Sequence, residues 1–156
     1  MSAIQTETRL DLAPWVSFLR AHASIVRTLS AELVADHGLT ISDYEVLLRL
    51  SRAPDRRMRR VDLAQEVLLS PSGITRLLVG LERTGLVERG SCESDARVVY
   101  AQLTPAGLAK LRAAAKTHVA GVNRVFLDRF DEDERAALGT LLGRLAAAGD
   151  EPCEPE

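Results

Sequence analysis

The stretch Leu69–Arg89, LSPSGITRLLVGLERTGLVER, constrains the chain more than any other. Ser70 followed by Pro71 is a helix start: a serine hydroxyl can accept an orphan backbone N–H, and proline fits the first helical position without losing a needed donor. Ile74, Leu77, Leu78 and Leu81 then recur at helical spacing as one apolar stripe, while Ser72, Thr75, Arg76 and Val79 point elsewhere. One face packs and the other is free. Gly85 ends the helix, and Leu86-Val87-Glu88-Arg89 reads as a short alternating strand. Small polar residues at a helix N-terminus, backed by an arginine, suit close approach to base edges in a DNA major groove, and the N–H groups there favour phosphate oxygens.

A chain of 156 residues fits one domain, or one domain with an oligomerisation extension. With 46% hydrophobic but only 4% aromatic residues, and 27% charged, it has the composition of a helix-rich globular protein. No apolar run approaches the roughly 20 residues that span a bilayer, and the start MSAIQTETR has no signal-peptide core, so a cytoplasmic location without membrane contact is expected. Cys92 and Cys153 are too few for a disulfide framework and have no metal-ligand spacing with His22, His37 or His118, so neither a metal nor a cofactor is expected.

The net charge of −2 speaks against nucleic acid when taken whole, yet the charge is sorted along the chain. Residues 1–48 carry −3, residues 49–97 carry +3 and residues 98–156 carry −2, which places a basic centre between acidic flanks. That order fits a central DNA-facing module held by terminal segments.

Residues 1–10 lack periodicity and read as a mobile tail. Asp11 and Pro14 open a long helix to about His37, in which Trp15, Phe18, His22, Ile25, Leu29 and Leu33 form one stripe and Leu12, Val16, Leu19, Ala23 and Val26 an adjacent one. Two stripes imply two partners, the core and a second subunit. Gly38 supplies the stop. Ser42 and Glu45 have the S-x-x-E form of a capping box, which predicts a second helix to about Ser51 with Val46, Leu47 and Leu50 inward. Ala53-Pro54-Asp55 breaks it. Arg56, Arg57, Arg59 and Arg60 then precede a third helix over 61–67, and Arg59 and Arg60 are candidates for backbone phosphate contacts rather than a merely solvated turn.

After the strand at 86–90, the polar turn 91–97 and the apolar run Val98–Leu103 make a β-hairpin. Helix, helix, hairpin in that order is a winged helix-turn-helix, with the DNA-binding module at about 42–103. Thr104-Pro105 starts another helix, with Leu108, Leu111, Ala115, Val119, Val122, Phe126 and Phe130 as its stripe. Asp131 and Glu134 cap a last helix bearing Leu138, Leu141, Leu142 and Leu145, which Gly149 ends before a polar tail over 148–156. The expected fold is therefore mainly α with a small β-hairpin wing, spanning about 11–147. The terminal helices, about 12–37 and 104–147, are too apolar to lie free, and they are read as a homodimer interface.

Over residues 12–147 the chain resembles the MarR family of bacterial transcriptional regulators. The resemblance rests on the reading-helix pattern met by Ser70, Ser72, Ile74, Thr75, Arg76, Leu77, Leu78, Leu81, Glu82, Gly85, Leu86, Val87 and Arg89, on the wing signature D-x-R at Asp95 and Arg97, and on the junction Leu103-Thr104-Pro105-Ala106-Gly107. It implies a homodimer that binds a pseudo-palindromic double-stranded DNA operator, with repression relieved by a small ligand or by cysteine oxidation. Carried across by position, Ser70, Ser72, Gly73, Thr75 and Arg76 enter the major groove, Arg97 reaches the minor groove, and Asp95 braces the wing turn or its arginine. The likeness also implies an effector site between the dimerisation helices and the winged module. Trp15, His22 and Tyr44 are then candidates for a pocket that takes an aromatic or phenolic acid.

Each of these residues also has a plainer reading. A histidine on an apolar helix face, such as His22, is commonly a packed core or interface residue. His37 suits a helix C-terminus electrostatically, and His118 reads as a surface or interface residue. Glu93 and Asp95 near Cys92 raise its thiol pKa, which opposes a cysteine-based redox-sensing regulator. A winged-helix protein-interaction module without DNA binding predicts loss of the polar reading face and of the wing arginine, and both are present. No nucleophile-base pair, phosphate loop or metal set marks an enzyme, so no catalytic residue is assigned.

Overall fold

The computed structural model describes residues 11–67, 69–91, 95 and 97–147. The predicted tails at 1–10 and 148–156, with Gly149, Cys92 and Cys153, lie outside the described residues. Among the described residues six α-helices and three strands follow in the order α1 (Ala13–His37), α2 (Ile41–Arg52), β1 (Arg57–Arg59), α3 (Arg60–Glu66), α4 (Pro71–Arg83), β2 (Val87–Ser91), β3 (Val99–Leu103), α5 (Pro105–Val125) and α6 (Glu132–Ala147). Among the described residues no helix is long and apolar enough to cross a membrane.

Asp11 Oδ1 accepts the Ala13 N–H at 3.0 Å to start α1. Gly38, at φ +67°, ends it by donating to the Val34 carbonyl. Only Gly38, Leu39 and Thr40 separate α1 from α2, and Leu39 is driven into the core at 3% exposure. That sets the start of α2 two residues earlier than the predicted Ser42/Glu45 box. Thr40 is the cap instead: its Oγ1 accepts the Asp43 N–H at 3.1 Å, and Asp43 Oδ2 accepts the Thr40 N–H at 2.8 Å. Ser42 lies inside the helix. The inward set Val46, Leu47 and Leu50 is fully buried, as its spacing predicts.

The wing is a three-stranded antiparallel sheet in the order β1-β3-β2, not a hairpin alone. The extra strand comes from the arginine-rich segment. Asp55 and Arg56 turn the chain with φ of 53° and 55°, and Arg57, Met58 and Arg59 then pair with Gln102, Ala101 and Tyr100. β1 has no apolar alternation of its own, because β3 supplies its pairing and only Met58 turns toward the core. On the other edge of β3, Val87 pairs with Leu103, and both are buried, so the inward positions of the two strands meet there.

The core of the winged module is built from Leu47, Leu50, Leu63, Ile74, Leu78, Leu81, Val87 and Leu103, joined by Leu33 of α1 and by Leu111 and Ala114 of α5. α5 stops at Val125, five residues earlier than a stripe running to Phe130 requires. Phe126 leaves helical geometry, a short 3-10 turn spans Leu127–Arg129, and Phe130 folds back edge-on to Phe126 at 5.6 Å. Arg135 Nε donates to the Leu127 and Phe130 carbonyls and fixes that turn. Asp131 and Glu134 form the predicted reciprocal cap of α6.

Along α1 and α6 the apolar faces stay open. Trp15 is 56% exposed, Leu19 44%, Leu141 53% and Leu145 63%, large side chains that a folded monomer rarely leaves in water in one region.

Candidate nucleic-acid interface

The reading helix α4 is held by its buried stripe, in which Ile74, Leu78 and Leu81 are almost fully covered. Its opposite face at the N-terminal end carries Ser72, Thr75 and Arg76, all exposed. Ser70 caps the helix: its Oγ accepts the Gly73 N–H at 3.1 Å and lies 3.2 Å from Ser72 Oγ. Ser70 thus shapes the helix end as well as lying at it. A Cβ on Gly73 would come within 3.1 Å of Ser70 Oγ, so the glycine keeps that capping hydroxyl in place. Thr75 Oγ1 donates to the Pro71 carbonyl at 2.7 Å. Arg76 makes no ion pair among the described residues, so its guanidinium is available.

At the wing, Asp95 Oδ1 accepts the Arg97 backbone N–H at 3.0 Å and sits 3.4 Å from Arg97 Nε. The side chain of Arg97 is 93% exposed, so Asp95 steers its root while its tip stands in solvent. Arg59 is held differently. Its Nε and Nη2 donate to the two oxygens of Asp62 at 2.7 and 2.9 Å, a bidentate pair that raises the guanidinium pKa further above its ordinary value. Arg60 is half-buried at the start of α3. Arg59, Arg60 and Arg97 nonetheless share one cavity of about 300 Å³ with Val61, Val98 and Val99. Three guanidinium groups with two acids beside them make this junction of β1, α3 and the wing net basic.

The three residues expected to form one effector pocket are not brought together. Trp15, Phe18 and His22 stack along α1 with ring centroids 6.2 and 6.3 Å apart. Phe18 and His22 line an apolar cavity of about 560 Å³ with Ile25, Val122, Phe126 and Leu142, a cavity that includes neither Trp15 nor Tyr44. Tyr44 is buried elsewhere, its ring 4.6 Å from that of His118 on α5. Burial pushes the Tyr44 hydroxyl pKa up, opposed by the charge of Arg52. His118, read from the sequence as a surface or interface residue, is half-buried against Tyr44, its Nδ1 has no partner among the described residues, and burial lowers its pKa. His37 closes α1 as expected, with Nε2 hydrogen-bonded to Thr117 Oγ1 of α5 at 2.8 Å.

A helix pair, α3 and α4, that presents a polar N-terminal face beside an antiparallel wing defines a winged helix-turn-helix DNA-binding protein. The MarR family model matches residues 37–98, which cover α2 through the wing turn. The transcriptional repressor YetL of Bacillus subtilis is 30% identical over 111 residues, 71% of this chain and 66% of its own length. AbsC, a MarR family transcriptional regulator from Streptomyces coelicolor, is 33% identical with a TM-score of 0.80 over 94% of this chain and 97% of AbsC. Sco3205, a MarR family transcriptional regulator of the same organism solved in complex with DNA, is 32% identical with a TM-score of 0.82 over 91% of this chain and 89% of Sco3205. The chain belongs to the MarR family of transcriptional regulators, DNA-binding proteins rather than enzymes.

Proposed function

We propose that this chain is a homodimeric repressor that binds a pseudo-palindromic operator. Ser72, Thr75 and Arg76 read base edges in the major groove, Ser70 and Gly73 set the helix end against a phosphate, and Arg97 enters the minor groove under the guidance of Asp95. Arg59 and Arg60 add phosphate contacts beside the wing. The observation that carries this reading is the polar, exposed N-terminal face of α4 directly opposite its buried stripe. The second copy covers the open apolar faces of α1 and α6 and sets the two reading helices about 34–36 Å apart, one turn of DNA.

Relief of repression by a small aromatic or phenolic acid belongs to the same reading. Trp15 and His22 lie on the α1 face given to the second copy, where an acid seated between copies meets them, and Tyr44 meets an acid that reaches α5. Selection of bound duplexes from a random pool tests the DNA reading, and sedimentation equilibrium tests the dimer. A palindromic consensus with half-sites one helical turn apart is expected. A strictly monomeric protein, or a pool with no enriched sequence, refutes it. Calorimetry with salicylate against wild type and His22→Ala tests the acid, and equal binding by both removes His22.

A further inference from the structure

Val61 is 62% exposed on the first turn of α3, away from the α1 and α6 faces given to the second copy. It borders two cavities of opposite character. One is the basic cavity of about 300 Å³ lined by Arg59, Arg60 and Arg97. The other is a notch of about 290 Å³ between α3 and α4, in which Ala64 and Ile74 are buried and Pro71 and Thr75 are exposed. Arg60 and Val61 line both.

The notch has few donors to offer a guest. Ala64, Leu69, Pro71 and Ile74 carry no polar side-chain atom, and Pro71 has no N–H. The Leu69 N–H donates to the Ala64 carbonyl at 3.0 Å, the Ile74 N–H to the Ser70 carbonyl at 2.9 Å and the Thr75 hydroxyl to the Pro71 carbonyl at 2.7 Å, so these three donors are already engaged. What the notch suits is an apolar group. Its volume falls short of the pockets that enclose drug-sized molecules, so the group is a small one. Thr75 belongs both to the notch and to the exposed N-terminal face of α4, and the one apolar group that a duplex shows in its major groove is the C5-methyl of thymine.

We propose that the notch seats the C5-methyl of one thymine in each operator half-site, which makes Val61 a specificity-determining residue. A strand whose phosphate is held at Arg59, Arg60 and Arg97 meets Val61 next, so the same stretch of DNA finds charge on one side of this residue and an apolar seat on the other. Phosphate capture is indifferent to sequence, whereas a seat for a methyl group separates thymine from cytosine. Burial of one methyl group corresponds to about a 4-fold preference. The inference rests on the DNA-binding reading and adds a base-reading residue from α3 to those of α4.

The consensus duplex selected from a random pool, and copies in which each thymine of one half-site is replaced in turn by deoxyuridine, are titrated at fixed salt against wild type and Val61→Ala. At one position the lost methyl is expected to weaken wild-type binding by about 4-fold. Val61→Ala is expected to weaken the thymine duplex by about the same factor, with no further loss from deoxyuridine at that position and an intact fold by circular dichroism. Indifference to deoxyuridine at every position overturns the seat, and so do losses that multiply to about 16-fold, the mark of independent contacts. A deoxyuridine loss that persists in Val61→Ala and disappears in Thr75→Ser places the methyl on Thr75 alone and also overturns it. Duplex binding that ignores the methyl leaves the DNA reading intact, whereas a protein that binds no duplex from the pool removes both.

Discussion

Gly107 ties α5 to the winged module, and replacing it with alanine tests how tightly. The residue is buried in the first turn of α5, where an added Cβ would overlap the Leu86 carbonyl and come within 2.7 Å of Leu103 Cδ1. Leu103 is 4% exposed and has little room to rotate. The Leu86 carbonyl cannot retreat either, because it accepts from the Thr104 N–H at 3.2 Å and from Thr104 Oγ1 at 3.1 Å. Overpacking costs about 1–3 kcal/mol and each strained hydrogen bond about 0.5–1.5 kcal/mol. Helix propensity returns roughly 1 kcal/mol. Gly107→Ala is therefore expected to lose about 3 kcal/mol, which for a chain of this size lowers the melting temperature by roughly 6–12 °C. Urea unfolding at fixed protein concentration, followed by Trp15 fluorescence and circular dichroism, measures it. Gly80→Ala is the control: nothing lies within 4 Å of its added Cβ, so a gain of up to about 1 kcal/mol is expected. A Gly107→Ala protein as stable as wild type refutes the close packing of α5 on the strand.

Further substitutions separate caps, contacts and charges. Arg97→Ala is expected to weaken binding to every duplex and flatten the dependence of affinity on salt, while Thr75→Ala changes base preference and keeps the slope. Titrations at several salt concentrations distinguish them, and an unchanged slope for Arg97→Ala removes the wing contact. Thr40→Ala is expected to cost about 1 kcal/mol and Ser42→Ala less than about 0.5 kcal/mol in denaturation, and the reverse order sinks the Thr40 cap. His118 has its pKa lowered by burial, so between its folded value and the ordinary value near 6.5 the unfolded chain binds the extra proton. Its contribution to stability is complete above about pH 6.5 and is lost as pH falls through the folded value. Unfolding at about pH 7.5 and pH 5 should show a larger acid loss in wild type than in His118→Gln, and equal losses contradict the assignment.

The parts of the fold readable in the sequence are those where a local signal and the tertiary demand agree. Ser70-Pro71, Thr104-Pro105 and Asp131 with Glu134 each start the helix their chemistry specifies. Strand β1 was not readable, because Arg57-Met58-Arg59 gains its geometry from β3 some forty positions later. The Ser42/Glu45 pattern misled because Thr40 and Asp43, two residues upstream, offer the same chemistry closer to the end of α1. For the site, hydroxyl and arginine residues on the free face of α4 were legible as one surface from spacing alone. The contact of Tyr44 with His118 depends on how α5 lies across α2, which no local pattern encodes.

Thr75 spends its only hydrogen on the Pro71 carbonyl, and this limits what it can say to a base pair. In the proposed complex it offers the groove an acceptor oxygen and a methyl group, and nothing to give. Adenine and cytosine, which offer amino hydrogens there, and thymine, which offers its own methyl, suit it, whereas the guanine edge, with acceptors at N7 and O6, meets only repulsion. The vocabulary of this position was thus narrowed within the helix before any DNA arrived.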